Sequence, residues 1–131
     1  MTPALSPDAL AFLVERHLAT LTTPRRDGTP HVTPVGFTWD AERGLARVIC
    51  DGGSVKARNL RDGGRVALCS FERARWLTLE GDACVSDDPD EVAEGVRRYA
   101  ERYRQPRVNP NRVVLLVTVD RVLSSRSLRA T

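Results

Sequence analysis

The sequence predicts a mainly β domain, a small antiparallel barrel with helical additions, on three observations. Six or seven short strand-like runs are separated by turn signals such as Asp27-Gly28, Arg43-Gly44 and Asp62-Gly63-Gly64. Helical spacing of apolar residues occurs at the start, after the third strand and before the last strand, which places helices as additions to a sheet. The last strand carries Val113-Val114-Leu115-Leu116-Val117, apolar on both faces, as a strand covered on both sides must be. At 131 residues the chain, 1–131, is a single domain with a real core and no room for a second.

Ser6-Pro7-Asp8 starts a helix, with Ser at the N-cap, Pro in the first position and an acid in the first turn. Leu10, Leu13 and Val14 give it an apolar face, and it runs to about Arg16. His17 to Thr23 is β-branched and apolar, and Pro30 to Trp39 returns as the second arm of a hairpin. On that second strand His31, Thr33, Val35, Phe37 and Trp39 share a bulky face, opposite Val32, Pro34, Gly36 and Thr38. Pro34 and Gly36 on the small face admit another chain or a flat ring.

Leu45 to Asp51 is the third strand, and a short helix follows it. Arg65 to Phe71 and Arg75 to Glu80 are the next two strands; Gly81 permits a bulge before Ala83 to Ser86 carries the pairing on. Asp87-Asp88-Pro89-Asp90-Glu91 is an acidic helix start, followed by Val92, Val96, Tyr99 and Tyr103 at helical spacing. This longest helix ends near Arg104, and Arg112 to Val122 is the final strand.

The stretch Gly52-Gly53-Ser54-Val55-Lys56-Ala57-Arg58-Asn59 holds the chemistry. It opens a helix at the end of a strand and reads as an anion seat: the glycines allow close backbone approach and positive φ, Ser54 caps, and Lys56 and Arg58 lie in the first turn. A phosphate fits there, whereas the spacing is not that of a P-loop. Of the 20 cationic residues, Lys56 is the sole lysine, so a compact point charge sits at this one place. The plain alternative is a solvated surface lysine.

The net charge of +3, with arginines scattered among 17 acids, argues against nucleic acid. No run of about 18 apolar residues spans a membrane and the start has no signal-peptide pattern, so the expected location is the cytoplasm. Cys50, Cys69 and Cys84 sit singly in strands without CxxC spacing, which points to buried free thiols and to neither zinc nor disulfides. His17 and His31 lack a second ligand at metal spacing and a triad partner, and the Asp87–Glu91 acids are capping groups before they are metal ligands. No serine lies in a GxSxG setting. Trp76 reads as core or as a wall for a planar cofactor. The loop from Arg104 to Arg112 sets arginines among prolines, either a solvated linker or guanidinium forks suited to carboxylates.

With these residues in view, the chain resembles the split β-barrel flavin and deazaflavin oxidoreductases, the superfamily that includes pyridoxamine-phosphate oxidase. The resemblance spans nearly the whole chain. It is carried by Phe12-Leu13 with Leu18 to Thr23, by Gly28 to Phe37, by Gly53 to Asn59 and by Ala74 to Gly81. Within the superfamily the chain is most similar to the branch that uses the deazaflavin coenzyme F420. Arg98 to Arg104 followed by Pro106-Arg107-Val108-Asn109-Pro110 is similar to the biliverdin-reducing members of that branch.

The resemblance implies a split β-barrel homodimer with cofactor sites at the subunit interface, and coenzyme F420 as cofactor with FMN as the alternative. Carried over by position, Val35, Gly36 and Phe37 lie near the deazaflavin ring, with Ile49, Cys50 and Asp51 on the adjacent strand. Ser54, Lys56 and Asn59 hold the phosphate side, while Trp76 and Leu77 come from the partner subunit. The implied activity passes a hydride from reduced deazaflavin to a conjugated acceptor, biliverdin, whose propionates pair with Arg107 and Arg112. No catalytic residue is expected, because the cofactor carries the hard step and the proton comes from water or the bilin's pyrrole nitrogens. Two other readings remain: an FMN-binding pyridoxamine-phosphate-oxidase-like oxidoreductase, and a non-catalytic flavin- or tetrapyrrole-binding module. The longer C-terminal part of true pyridoxamine-phosphate oxidases is missing, which argues against that activity.

Overall fold

Helix α1 spans Pro7–Val14 in the computed structural model, which describes residues 2–130. Ser6 caps it by accepting the Ala9 N–H at 3.0 Å, and its hydroxyl donates to the Leu128 carbonyl at 2.8 Å, tying the helix to a terminal turn at Arg126–Leu128. Ala9, Phe12 and Leu13 are its buried face. The helix stops short of the expected Arg16, because Glu15 is already extended (φ −66°, ψ 152°) and its carbonyl accepts from Arg102 Nε at 2.9 Å.

Among the described residues seven strands follow in one antiparallel sheet: β1 Ala19–Pro24, β2 Pro30–Val35, β3 Thr38–Asp40, β4 Leu45–Asp51, β5 Gly64–Glu72, β6 Arg75–Ser86 and β7 Arg112–Ser124. Helix α2, Val55–Asn59, lies between β4 and β5, and α3, Pro89–Arg102, lies between β6 and β7. The strand order is β2-β1-β5-β6-β7-β4-β3. The two edges are therefore consecutive in sequence. Only Gly36 and Phe37 separate β2 from β3, so the sheet must curl until its edges meet, closed by the chain itself and not by a ladder. This is a split barrel.

The split corrects the sequence expectation of one unbroken strand from Pro30 to Trp39. Phe37 makes no ladder bond there. Its N–H goes to the Tyr103 hydroxyl at 3.2 Å and its carbonyl accepts Arg102 Nη1 at 2.6 Å. Arg102 at the end of α3 and Tyr103, its C-cap, thus satisfy a buried peptide that a strand partner would otherwise satisfy. The side-chain alternation also slips at this point: Val35, Phe37 and then Thr38 are buried, whereas Trp39 is half-buried.

Leu21, Val48, Leu68, Leu77, Leu79, Leu115 and Val117 fill the barrel with Phe12 and Phe37. Gly81 sits at the register shift of β6, where a Cβ would strike the Thr118 carbonyl of β7, so the bulge needs glycine. The final strand is covered twice. Leu115 and Val117 face the barrel interior, and Val114 lies under α3, where Gly95 lets the helix approach Ile49 and Val114. Below α3, Asp40 and Arg47 form a buried ion pair at 2.8 Å, joined by Arg98 at 3.3 Å. The cysteines are free, but Cys84 is exposed and Cys50 and Cys69 half-buried, because Cys69 and Cys84 point to the outer face of the sheet.

Candidate functional site

Strand β4 ends at Ile49-Cys50-Asp51 and hands the chain to the predicted anion seat. The Asp51 carboxylate accepts the Gly53 N–H at 2.8 Å and Asn109 Nδ2 at 3.2 Å, and its backbone carbonyl accepts the Ser54 hydroxyl at 2.7 Å. These bonds, the Gly53 N–H first, with nearby Lys56 hold its carboxyl below the usual range. Ser54 caps α2 as expected, through the Ala57 N–H. The glycines act differently from expectation. Positive φ occurs at Gly28, Gly44 and Gly63, not at Gly52 or Gly53. Gly52 is needed for space instead: a Cβ there would lie 3.0 Å from the Asn111 carbonyl, which its own N–H reaches at 2.8 Å.

Above this turn runs an open groove of about 320 Å³. One wall is apolar, made by Pro34, Val35, Gly36 and Ile49. The floor and opposite end are polar, with Cys50, Asp51, Ser54, Lys56, Asn109 and Arg112. Tyr99 and Pro106 close it from the side of α3. Gly36 is what allows that closure, since a Cβ would stand 2.9 Å from the Tyr99 ring and 3.0 Å from that of Tyr103. Burial pushes the Cys50 thiol up, against the opposing pull of Ser54 and Lys56, so the thiol is neutral. Among the described residues neither Lys56 nor Arg112 pairs with a carboxylate; the Arg112 guanidinium donates to the Arg107 carbonyl at 2.5 Å.

The fold thus gathers Val35, Gly36, Ile49, Cys50, Asp51, Ser54, Lys56 and Arg112 around one groove. The remaining expected residues lie elsewhere. The Phe37 side chain is 1% exposed in the core, under the Arg102 guanidinium, so only its backbone borders the split. Asn59 donates to Thr23 Oγ1 at 3.0 Å and faces a separate recess with Arg25, Arg26 and Arg58. Leu77 is buried in the barrel, and Trp76 lies half-exposed in another recess beside Leu5, Leu123 and Leu128. Arg107 is exposed on the loop above the groove. Tyr99 and Asn109 are groove residues that sequence reasoning missed. Tyr99 carries the same helical spacing as the core face of α3, and nothing local distinguishes it.

Neither histidine lines the groove. Glu15, His17 and Glu72 do bring ligand atoms within 4.8 Å of one another, but Arg75 donates to both carboxylates and already occupies the space between them.

Taken together, these features define the class: a split antiparallel barrel whose strand-end groove joins an apolar wall to two cations without carboxylate partners. The family model described as pyridoxamine 5'-phosphate oxidase matches residues 5–126. The chain belongs to the pyridoxamine 5'-phosphate oxidase family. It is similar to a Mycobacterium tuberculosis protein described as F420H(2)-dependent biliverdin reductase, with 55% identity over 127 residues, 97% of this chain and 93% of the relative. Among solved structures, one described as an F420 reductase superposes with TM-score 0.69 at 26% identity, covering 86% of this chain and 94% of its own. The fold also matches a conserved hypothetical protein of Mycobacterium tuberculosis, with TM-score 0.75 at 24% identity, covering 94% of this chain and 86% of that one.

Proposed function

We propose that this chain is a coenzyme F420-dependent reductase that transfers a hydride to a conjugated acceptor, biliverdin. The observation that carries the reading is the groove itself, in which Lys56 and Arg112 stand without carboxylate partners at one end of a wall of Pro34, Val35 and Ile49. That donor set fits an aromatic ring with a phosphate-bearing side arm. The similarity to the mycobacterial reductase supports the choice of coenzyme and acceptor.

In this reading Lys56 and Ser54 hold the phosphate, while Pro34, Val35 and Ile49 exclude water from one ring face. When bound, the reduced deazaflavin supplies the hydride. Arg107, exposed above the groove, takes a propionate of the acceptor, and Arg112 bridges the two ligands from the polar end. Asp51 is held ionised and the Cys50 thiol is pushed up by burial, so neither is a proton donor matched to neutral pH. The proton comes from water or from the bilin's pyrrole nitrogens.

The groove is open on one side, and a second copy of the chain completes it, with Trp76 reaching across from that copy and Leu77 contributing through its strand backbone. The working location is the cytoplasm. Anaerobic incubation with reduced F420 and biliverdin should convert the long-wavelength bilin band to the shorter one of a rubin, and NADPH alone should not, since no GxGxxG fingerprint is present. Persistence of the bilin band while reduced F420 is bound overturns the acceptor. Tight binding of FMN with none of F420 overturns the cofactor.

A further inference from the structure

We propose that Asn109 is a positioning residue: tied to Asp51, it holds the loop 105–111 at a set height over the anion turn, and with it the arginines that grip the acceptor. The inference rests on the function proposed above.

The local sequence decides what Asn109 offers. Asn109-Pro110-Asn111-Arg112 is a turn in which the Arg112 N–H donates to the Asn109 carbonyl at 3.1 Å, with proline at the second position, where its fixed φ suits the turn. The Asn109 side-chain oxygen accepts the Asn111 N–H at 2.9 Å. With that oxygen engaged, the amide nitrogen is the free end of the side chain, and it donates to Asp51 Oδ1 at 3.2 Å. An aspartate at 109 would make the same turn but set one carboxylate against another. The position therefore calls for a donor.

Asp51 uses its two oxygens for two different elements. Oδ2 accepts the Gly53 N–H of the anion turn at 2.8 Å, and Oδ1 accepts from the loop. In the proposed reading the turn holds the phosphate and the loop carries Arg107, so one carboxylate sets the acceptor's support against the cofactor's.

Little else does so. Among the described residues the Asn109 amide makes the one side-chain bond from the loop to the turn between β4 and α2; the backbone adds the Gly52 N–H to the Asn111 carbonyl at 2.8 Å, at the loop's far end. Between Asn109 and the end of α3, the one further bond among the described residues comes from the Arg112 guanidinium to the Arg107 carbonyl at 2.5 Å. Pro106 and Pro110 stiffen the loop, so a single fastening governs its height. The Asn109–Asp51 bond is exposed and adds little to stability. Its effect falls on placement, to which hydride transfer is sensitive.

The test compares the full-length parent with Asn109→Ala, Asn109→Asp, Asp51→Asn and the double exchange Asp51→Asn with Asn109→Asp. Melting temperature, F420 fluorescence titration, biliverdin absorbance titration and steady-state reduction of biliverdin are measured for each. Asn109→Ala should raise the Kd and KM for biliverdin roughly five- to tenfold, with F420 affinity and the melt nearly unchanged. Asn109→Asp should weaken biliverdin further, through the facing carboxylates. The double exchange should return biliverdin affinity to within about threefold of the parent, because the new amide at 51 donates to the new carboxylate at 109 while its oxygen still accepts the Gly53 N–H. A double exchange no better than Asn109→Asp overturns the proposal. So does an Asn109→Ala variant that loses F420 affinity and melting temperature along with the bilin, since that is the mark of a merely structural bond. A parent that binds biliverdin without reducing it overturns the reductase reading alone, because the titrations still read Asn109; a parent that does not bind biliverdin overturns both.

Discussion

The hydroxyl of Tyr103 accepts the Phe37 N–H at 3.2 Å, joining the end of α3 to the split in the barrel. The same hydroxyl donates to the His17 carbonyl at 2.6 Å, so one side chain satisfies both a peptide of the split and the residue leading into β1. Tyr103→Phe should cost about 1–3 kcal/mol, the penalty for a buried donor and acceptor left unmade, and lower the melting temperature by several degrees. It should also weaken cofactor binding, because Gly36 and Val35 border both the split and the groove. An unchanged melt would show that water replaces the hydroxyl without loss.

The charges beneath α3 predict acid sensitivity. Burial alone would raise the Asp40 carboxyl, but Arg47, the Arg43 N–H and Arg98 outweigh it and leave it below the usual range. Glu94 is lowered to about 2 by Arg97 and Arg98. Both folded values lie below the unfolded ones, so the stabilisation is complete above the ordinary carboxylate range, near 4.5 for Glu94, and is lost as pH falls towards 2. Glu94 is solvated and its share is small. Asp40→Asn should therefore destabilise the protein at neutral pH, by about 3–5 kcal/mol if Arg47 is left buried and unpaired, and the gap from the parent should narrow in acid. Urea midpoints at several pH values measure this; a pH-independent gap would contradict it.

In the groove, Lys56→Ala should leave the fold intact and weaken F420 by about 1.5–3 kcal/mol, roughly ten- to a hundred-fold, as the loss of one charge-assisted contact. Lys56→Arg should restore only part of it, since a planar fork does not replace a point charge. Arg107 and Arg112 separate here. Because Arg112 lines the groove and Arg107 does not, Arg112→Ala should weaken both F420 and biliverdin, and Arg107→Ala should raise the biliverdin KM alone. Fluorescence titration and steady-state rates distinguish the two, and equal effects of both variants on F420 would remove the assignment.

The outer face of the sheet carries exposed Leu18, just before β1, Phe71 of β5 and its ladder partner Trp76 of β6, with Leu123 of β7 two residues along. Apolar side chains grouped on one sheet face are what a subunit interface covers. Light scattering at micromolar concentration should give twice 14.5 kDa. Phe71→Asp should shift it towards one chain and weaken F420 binding with it. A parent monomer that binds F420 fully would leave Trp76 and Leu77 without a role at the site.

What the sequence determined by itself is local. Ser6 and Ser54 are caps because a hydroxyl before a helix has free N–H groups to satisfy, Gly81 marks a bulge because no Cβ fits there, and the Leu45–Asp51 strand ends in the anion turn because the residues that make the turn are contiguous. Tertiary structure alone decided three things. It broke Pro30–Trp39 at Gly36-Phe37, because the strand order brings the sheet's two edges together and α3 supplies Tyr103 and Arg102 in place of a ladder. It turned Asn59 onto Thr23 and buried the side chains of Phe37 and Leu77, although each is adjacent in sequence to residues of the expected site. And it set Tyr99 and Asn109 against the groove from more than forty residues further along the chain, a proximity that only the curl of the sheet and the docking of α3 create.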